Sequence, residues 1–112
     1  MAKNIEKKAE MTYTEMKDCI KELGREGFED LLEQYGEEVI KSALECDIPP
    51  SDIAETYQGG YESDADFAQQ TCESIGEIPS DFPAYIHIDW ERTARDIMMD
   101  YCEENGHYFR IL

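Results

Sequence analysis

Between Ser42 and Glu91 the chain has no Lys and no Arg, yet it carries twelve acids: Glu45, Asp47, Asp52, Glu55, Glu62, Asp64, Asp66, Glu73, Glu77, Asp81, Asp89 and Glu91. Ordinary solvated surfaces mix both signs. A one-sided run of this length repels itself. It suggests either a disordered segment or a folded surface whose negative field is the function.

Composition decides between these. The chain has 27 acids against 10 bases, a net charge of −17 on 112 residues. The charge is uneven: residues 1–25 set six bases against five acids, whereas residues 26–112 set four bases against 22 acids. Disordered acidic chains are poor in aromatics. This one is 41% hydrophobic and 11% aromatic, with Trp90, seven Tyr and four Phe, enough to bury a core. The reading is a folded, strongly acidic domain of ordinary size or two small subdomains.

Such a surface repels nucleic acid and anionic membranes and steers basic protein surfaces toward it. DNA-binding grooves are the commonest large basic surfaces. B-DNA presents one charge per roughly 1.7 Å of axis, and carboxylates three or four residues apart on a helix lie roughly 5–6 Å apart. Acid-studded helices can therefore approach the spacing of a phosphate backbone. Charge alone leaves two readings open, plain solubility and imitation of DNA.

No apolar run approaches the roughly 20 residues needed to span a bilayer, and no signal peptide is recognised. Cys19, Cys46, Cys72 and Cys102 are spaced 27, 26 and 30 apart without a CxxC. The expectation is reduced, packed thiols in a cytoplasmic protein.

Residues 1–10 are expected to fray. Thr12 or Thr14 caps a helix to about Leu23 whose apolar face is Met16, Cys19, Ile20 and Leu23. Gly24 and Gly27 punctuate. A second helix carries Phe28, Leu31, Leu32 and Tyr35 and ends at Gly36; a third carries Val39, Ile40, Ala43 and Leu44. Pro49-Pro50 breaks the chain before a short fourth helix through Tyr57. Gln58-Gly59-Gly60 reads as a loop. Ser63 caps a helix through Phe67, Ala68, Thr71, Cys72 and Ile75, stopped by Gly76, with Glu62, Asp64 and Asp66 favoured at its start by the helix dipole. Pro79 and Pro83 bracket a turn, and Asp89 caps a helix through Ile97. Asn105-Gly106 predicts a hairpin with strands at about 98–103 and 107–112. A lone hairpin is marginal, and Tyr85-Ile86-His87-Ile88 is the candidate third strand.

Candidate chemistry is sparse. His87 and His107 are the only histidines. No HExxH, Gly-rich phosphate loop or GxSxG is present. Glu62-Ser63-Asp64-Ala65-Asp66 is similar to the start of a calcium loop, but Phe67 stands where that loop needs Gly. Arg92 and Arg95 are placed to pair with Asp96 and Glu91 on a helix surface. No catalytic, metal or cofactor site is assigned.

At Tyr57 the pattern becomes specific. Tyr57-Gln58-Gly59-Gly60-Tyr61-Glu62-Ser63-Asp64-Ala65-Asp66-Phe67-Ala68 resembles the Tyr-x-Gly-x-Tyr-x-Ser tract and acidic Phe-Ala helix of the ArdA antirestriction family. The likeness continues through Glu73, Gly76, Ile78-Pro79, Ile88-Asp89-Trp90-Glu91, Ala94-Arg95-Asp96 and the closing aromatic strand, about residues 45–112. The resemblance implies a non-enzymatic cytoplasmic protein of mobile genetic elements. It would be an elongated acidic dimer imitating bent B-DNA, which occupies the DNA-binding groove of type I restriction-modification enzymes. Two departures stand out. The family's β-containing N-terminal domain has no counterpart in the helical residues 1–44, and His87 replaces a usual Tyr.

The expected fold is α+β: a helical acidic subdomain over residues 1–57, then an α+β subdomain over 58–112 with helices, a small antiparallel sheet and a C-terminal hairpin. The carboxylates expected to face the partner are Asp52, Glu55, Glu62, Asp64, Asp66, Glu73, Glu77 and Asp81, with helix capping the alternative for Asp64 and Asp66. The apolar strand 107–112 is expected in the core or at a dimer interface, with Tyr101, Tyr108, Phe109 and Ile111 as interface candidates. No cofactor, direct nucleic-acid contact or membrane is expected. The alternative function is an acidic adaptor for another basic DNA-binding protein, and a second is a small enzyme or metal domain using His87, His107 and a cysteine.

Overall fold

A computed structural model describes residues 10–76, 81, 83 and 85–112. The first helix, α1, spans Tyr13–Tyr35. Thr12 caps it reciprocally with Glu15: the Glu15 N–H donates to Thr12 Oγ1 at 3.1 Å, and the Thr12 N–H donates to Glu15 Oε1 at 2.8 Å. Two helices were expected here, and Gly24, at φ 81° and ψ 161°, is non-helical and divides α1 into two helical segments at a kink, a conformation that only glycine takes without strain. Gly27 stays helical. Gly36 ends α1 by donating its N–H to Leu32 O at 2.9 Å, and α2 follows at Glu37–Glu45.

Pro50–Asp52 forms a 3-10 turn leading into the single-turn α3, Ile53–Thr56. Next come β1 (Tyr57–Gly60) and α4 (Asp64–Ser74), capped by Ser63, whose Oγ accepts from the Asp66 N–H at 3.1 Å. Helix α5 (Trp90–Ile97) is capped by Asp89. A 3-10 turn at Met98–Asp100 precedes β2 (Tyr101–Glu104) and β3 (His107–Arg110). Asn105 and Gly106 both have positive φ, 55° and 84°, the two-residue turn that matches strand twist. The hairpin is therefore as expected, with its first strand starting three residues later than the pattern suggested.

The sheet is antiparallel in the order β1-β3-β2. Its third strand is Tyr57–Gly60, not Tyr85–Ile88, which runs as a turn and irregular chain into the α5 cap. The segment expected to loop is thus the strand. Gly59, at φ 116°, absorbs a register shift between Tyr57↔Phe109 and Gly59↔Tyr108. The backbones come close at the strand's end: a Cβ on Gly60 would sit 3.5 Å from Gly106 O. Glycine in a strand marks such bulges and close approaches.

Alternation along β3 puts the two halves of the protein on opposite faces. On one face, fully buried Phe109 joins Cys19, Phe28, Val39, Ile40, Ala43 and Ile53 from α1, α2 and α3. On the other, Tyr108 stacks on Phe67 of α4 at 4.5 Å, with Tyr61 and Tyr101 around them. Ala68, Cys72 and Ala94 are buried on the α4–α5 side. The result is a helix–sheet–helix stack extending 52 × 35 × 22 Å, of α+β class as expected. Tyr108 and Phe109 serve the core alternative of the two roles expected of this strand. Ile111 is exposed and Tyr101 half-buried.

The cysteines correct the sequence reading. Cys46, at the end of α2, and Cys102, on β2, form a disulfide with Cα atoms 6.0 Å apart, while Cys19 and Cys72 are buried. The two partners are 56 residues apart, and nothing in their spacing marks them. Only the sheet's placement against α2 does. The start of the Pro79–Pro83 turn and the fraying of residues 1–9 fall outside the described residues.

Candidate functional site: an uncompensated acidic surface

Every described carboxylate is exposed or half-buried, as desolvation of an unpaired charge demands. Among them only Glu15, Glu38 and Glu45 lie within 4 Å of a basic nitrogen. Lys41 takes Glu15 at 2.9 Å and Glu45 at 4.0 Å, and His107 Nε2 takes Glu38 at 2.8 Å. Arg92 and Arg95 are exposed and do not pair with Asp96 and Glu91 as their spacing suggested. Exposed pairs of that kind contribute little, so side-chain entropy leaves them apart. Among the described residues, the remaining acids have no ion-pair partner.

The expected partner-facing acids divide by what holds them. Glu55 on α3, Glu62 before α4, Glu73 on α4 and Asp81 are exposed, and Asp52 is half-buried in its 3-10 turn. Asp64 accepts the Tyr108 hydroxyl at 2.6 Å. Asp66 accepts Gln70 Nε2 at 2.9 Å and reaches the Glu62 N–H at 3.4 Å. Asp64 and Asp66 thus do have structural duties at the start of α4. Glu77 lies outside the described residues. Asp66 and Glu73 are seven residues apart, so they share one side of α4, and Glu62 lies just ahead of its N-cap. From Asp66 to Glu73 the helix rises about 10 Å, roughly three phosphate-to-phosphate steps along one DNA strand.

A second acidic tract escaped the sequence reading. Glu26, Glu29, Asp30 and Glu33 are all exposed on the C-terminal half of α1, and no base lies between Arg25 and Lys41. Since Lys41 is tied to Glu15 and Glu45, the one-sided charge in effect begins at Glu26. The same count of bases that singled out residues 42–91 finds it once Lys41 is seen to be engaged.

The histidines do different work. His107 Nδ1 lies 2.8 Å from the Tyr57 hydroxyl, and its Nε2 lies 2.8 Å from Glu38. Glu38 as a carboxylate can only accept, so Nε2 carries a proton; with a neutral ring, Nδ1 accepts from Tyr57. Burial, then Glu38 and Tyr61, pushes the Tyr57 phenol up, which keeps it a donor. The chain of three clips α2 to β3 and β1. Both ring nitrogens are engaged, and neither disulfide-bonded cysteine is a thiol. His87 is exposed, and among the described residues no three His, Cys, Asp or Glu side chains cluster to hold a metal. No described helix is long and apolar enough to cross a membrane.

Among the described residues the arrangement is an acidic surface. The model of the antirestriction protein ArdA family matches residues 1–109, nearly the whole chain. The chain belongs to the ArdA family. The match reaches well beyond the 45–112 tract where the resemblance was first legible, so the helical residues before Glu45 are part of the ArdA match too. No curated protein and no solved structure matches significantly. Family membership supports an antirestriction function, and with it an interaction with restriction-modification enzymes.

Proposed function

We propose that this ArdA-family chain is a DNA mimic that occupies the DNA-binding groove of a type I restriction-modification enzyme, without making or breaking a bond. The observation that carries the reading is the surface of exposed carboxylates from Glu26 onward, almost none paired internally. A net charge of −17 over 52 Å is one charge per about 3 Å, roughly half the density of B-DNA. The 22 Å thickness suits a cleft built for a duplex, and 52 Å matches about 15 base pairs at 3.4 Å each. A homodimer would double the covered length; Tyr101 and exposed Ile111 are its candidate contacts. The setting proposed is the cytoplasm, where an incoming mobile element would meet restriction.

The test is DNA cleavage by a purified type I enzyme with this protein titrated in, at two salt concentrations. Inhibition that added DNA relieves and salt weakens supports mimicry. No inhibition at large excess of folded protein overturns it. The rival, an acidic adaptor for some other basic protein, predicts a complex that DNA does not displace.

A further inference from the structure

The disulfide is flanked by acids on both stretches of chain that it joins. Glu45 and Asp47 flank Cys46, and Glu103 and Glu104 follow Cys102. Besides the bridge, α2 is held to the hairpin turn by Asn105, whose Nδ2 donates to Ser42 Oγ at 3.0 Å and Glu45 Oε1 at 3.1 Å. Both bridged cysteines are half-buried. Cys46 also lines a cavity of about 330 Å³, together with Asp47, Asp52, Arg110 and Leu112, which is room for a small molecule. Asp47 and Asp52 outnumber the one arginine there.

We propose that the Cys46–Cys102 bridge is a thiol–disulfide exchange site, entered from the Cys46 side by small thiols and selective for cationic over anionic ones. A thiolate enters the cavity and bonds to Cys46 Sγ. The S–S bond breaks and its electron pair leaves on Cys102 Sγ, which takes a proton. A second thiol attacks the mixed disulfide at its own sulfur, releasing Cys46 as a thiol. The net change is one protein disulfide and two thiols giving a protein dithiol and one small disulfide. Cleavage leaves Glu45 close to Glu104 and Glu103. Their repulsion is opposed by the Asn105 bonds at the turn, while the His107–Glu38 contact and Phe109 still hold β3 to α2, so it is the β2 side of the hairpin that loosens from the end of α2.

The site does not depend on the mimicry reading, and its test needs no restriction enzyme. Oxidised wild-type protein is treated with cysteamine, 2-mercaptoethanol or 3-mercaptopropionate. Bridge opening is followed by mass spectrometry, with rates referred to thiolate concentration. At low salt cysteamine should exceed mercaptopropionate by roughly tenfold, and high salt should collapse the difference. In Cys102→Ser, a disulfide reagent should load Cys46 while buried Cys19 and Cys72 stay unmodified. In Asp47→Asn/Asp52→Asn, which keeps the bridge, the selectivity should shrink. Reduction should lower the melting temperature by on the order of 10 °C. Absence of the bridge in oxidised protein, equal rates for the three thiols, or opening only in denaturant would overturn the proposal.

Discussion

The phenol of Tyr108 donates a 2.6 Å hydrogen bond to Asp64 Oδ1, tying the middle strand of the sheet to the first turn of α4. Tyr108 is 2% exposed and its ring stacks on Phe67, so Asp64 reaches from the surface to satisfy a hydroxyl that the core would otherwise strand. A carboxylate chosen on charge grounds as partner-facing is thereby also part of the fold.

Tyr108→Phe keeps the ring packing and removes the bond. A hydrogen bond to a charged group contributes about 1.5–3 kcal/mol, so the variant should lose roughly 2 kcal/mol in denaturant unfolding. Its inhibition of a type I enzyme at saturation should stay close to wild type, since no charge is removed. There is also a pH signature. Burial first, then the Asp64 bond and the charges of Asp64, Glu103 and Asp66, pushes the Tyr108 phenol well above its ordinary 10.0. The folded state therefore holds this proton when the unfolded chain has lost it. Its stabilising contribution is whole below about pH 10 and falls away as pH rises further. Tyr108→Phe should flatten most of that alkaline decline, and Tyr57, also raised, should account for a remainder.

Two glutamates should respond to acid with opposite signs. Burial pushes Glu15 up, but the Thr12 N–H, the Lys41 ammonium and the Thr12 hydroxyl outweigh it and leave the carboxyl below its ordinary 4.5. Its contribution is present above that value and is lost as pH falls through the folded one. Glu104 is raised by burial, then by Glu45 and Glu103. What it contributes is present below 4.5 and is lost as pH rises through the folded value. At pH 7, Glu15→Gln should therefore lower the melting temperature and Glu104→Gln should raise it. Both differences should shrink toward zero near pH 3. Thermal melts at the two pH values check the pair, and a change of the same sign in both variants at pH 7 would contradict it.

What the sequence made legible follows the range of each interaction. Thr12, Ser63 and Asp89 cap their helices with bonds three residues away, and Asn105-Gly106 sets its own turn, so local chemistry sufficed. The family tract from Tyr57 to Ala68 was legible for the same reason: its residues stand next to one another. Gly59-Gly60 misled because a double glycine favours loops locally, and only the approach of β3 turns it into a strand. The Cys46–Cys102 bridge and the Tyr57–His107–Glu38 clip join residues 50 or more apart, and no pattern within either segment encodes the meeting. The exposed acids lay between these cases: their number was visible, but not which of them the fold uses for itself.

Asn105 separates backbone from side-chain effects. It sits at φ 55° and donates to Ser42 and Glu45. Asn105→Gly keeps the turn conformation and loses the two bonds, an expected loss of about 1 kcal/mol. Asn105→Ala loses the bonds and strains the left-handed conformation, adding about 1–2 kcal/mol. Equal destabilisation of the two variants would mean that the turn's backbone preference is unimportant to the hairpin.

The acid surface itself predicts graded behaviour. If binding arises from a distributed field, each exposed carboxylate contributes modestly, about 0.2–1 kcal/mol for a solvent-exposed charge pair. Single changes such as Glu29→Gln or Glu73→Gln should weaken inhibition by no more than about fivefold on that scale. Joint replacement of Glu26, Glu29, Glu33 and Glu73 by Gln should weaken it by roughly 10- to 100-fold, with a shallower dependence on salt than wild type. None of these four glutamates pairs with a base, and only Glu73 accepts a side-chain bond, from Gln69, so the melting temperature should hold or rise as self-repulsion falls. The decisive comparison is inhibition against salt for the wild type, the single variants and the fourfold variant. One substitution that abolished inhibition while the fourfold change elsewhere left it intact would replace the field with a discrete contact site. An unchanged salt slope in the fourfold variant would remove the α1 and α4 acids from the partner interface altogether.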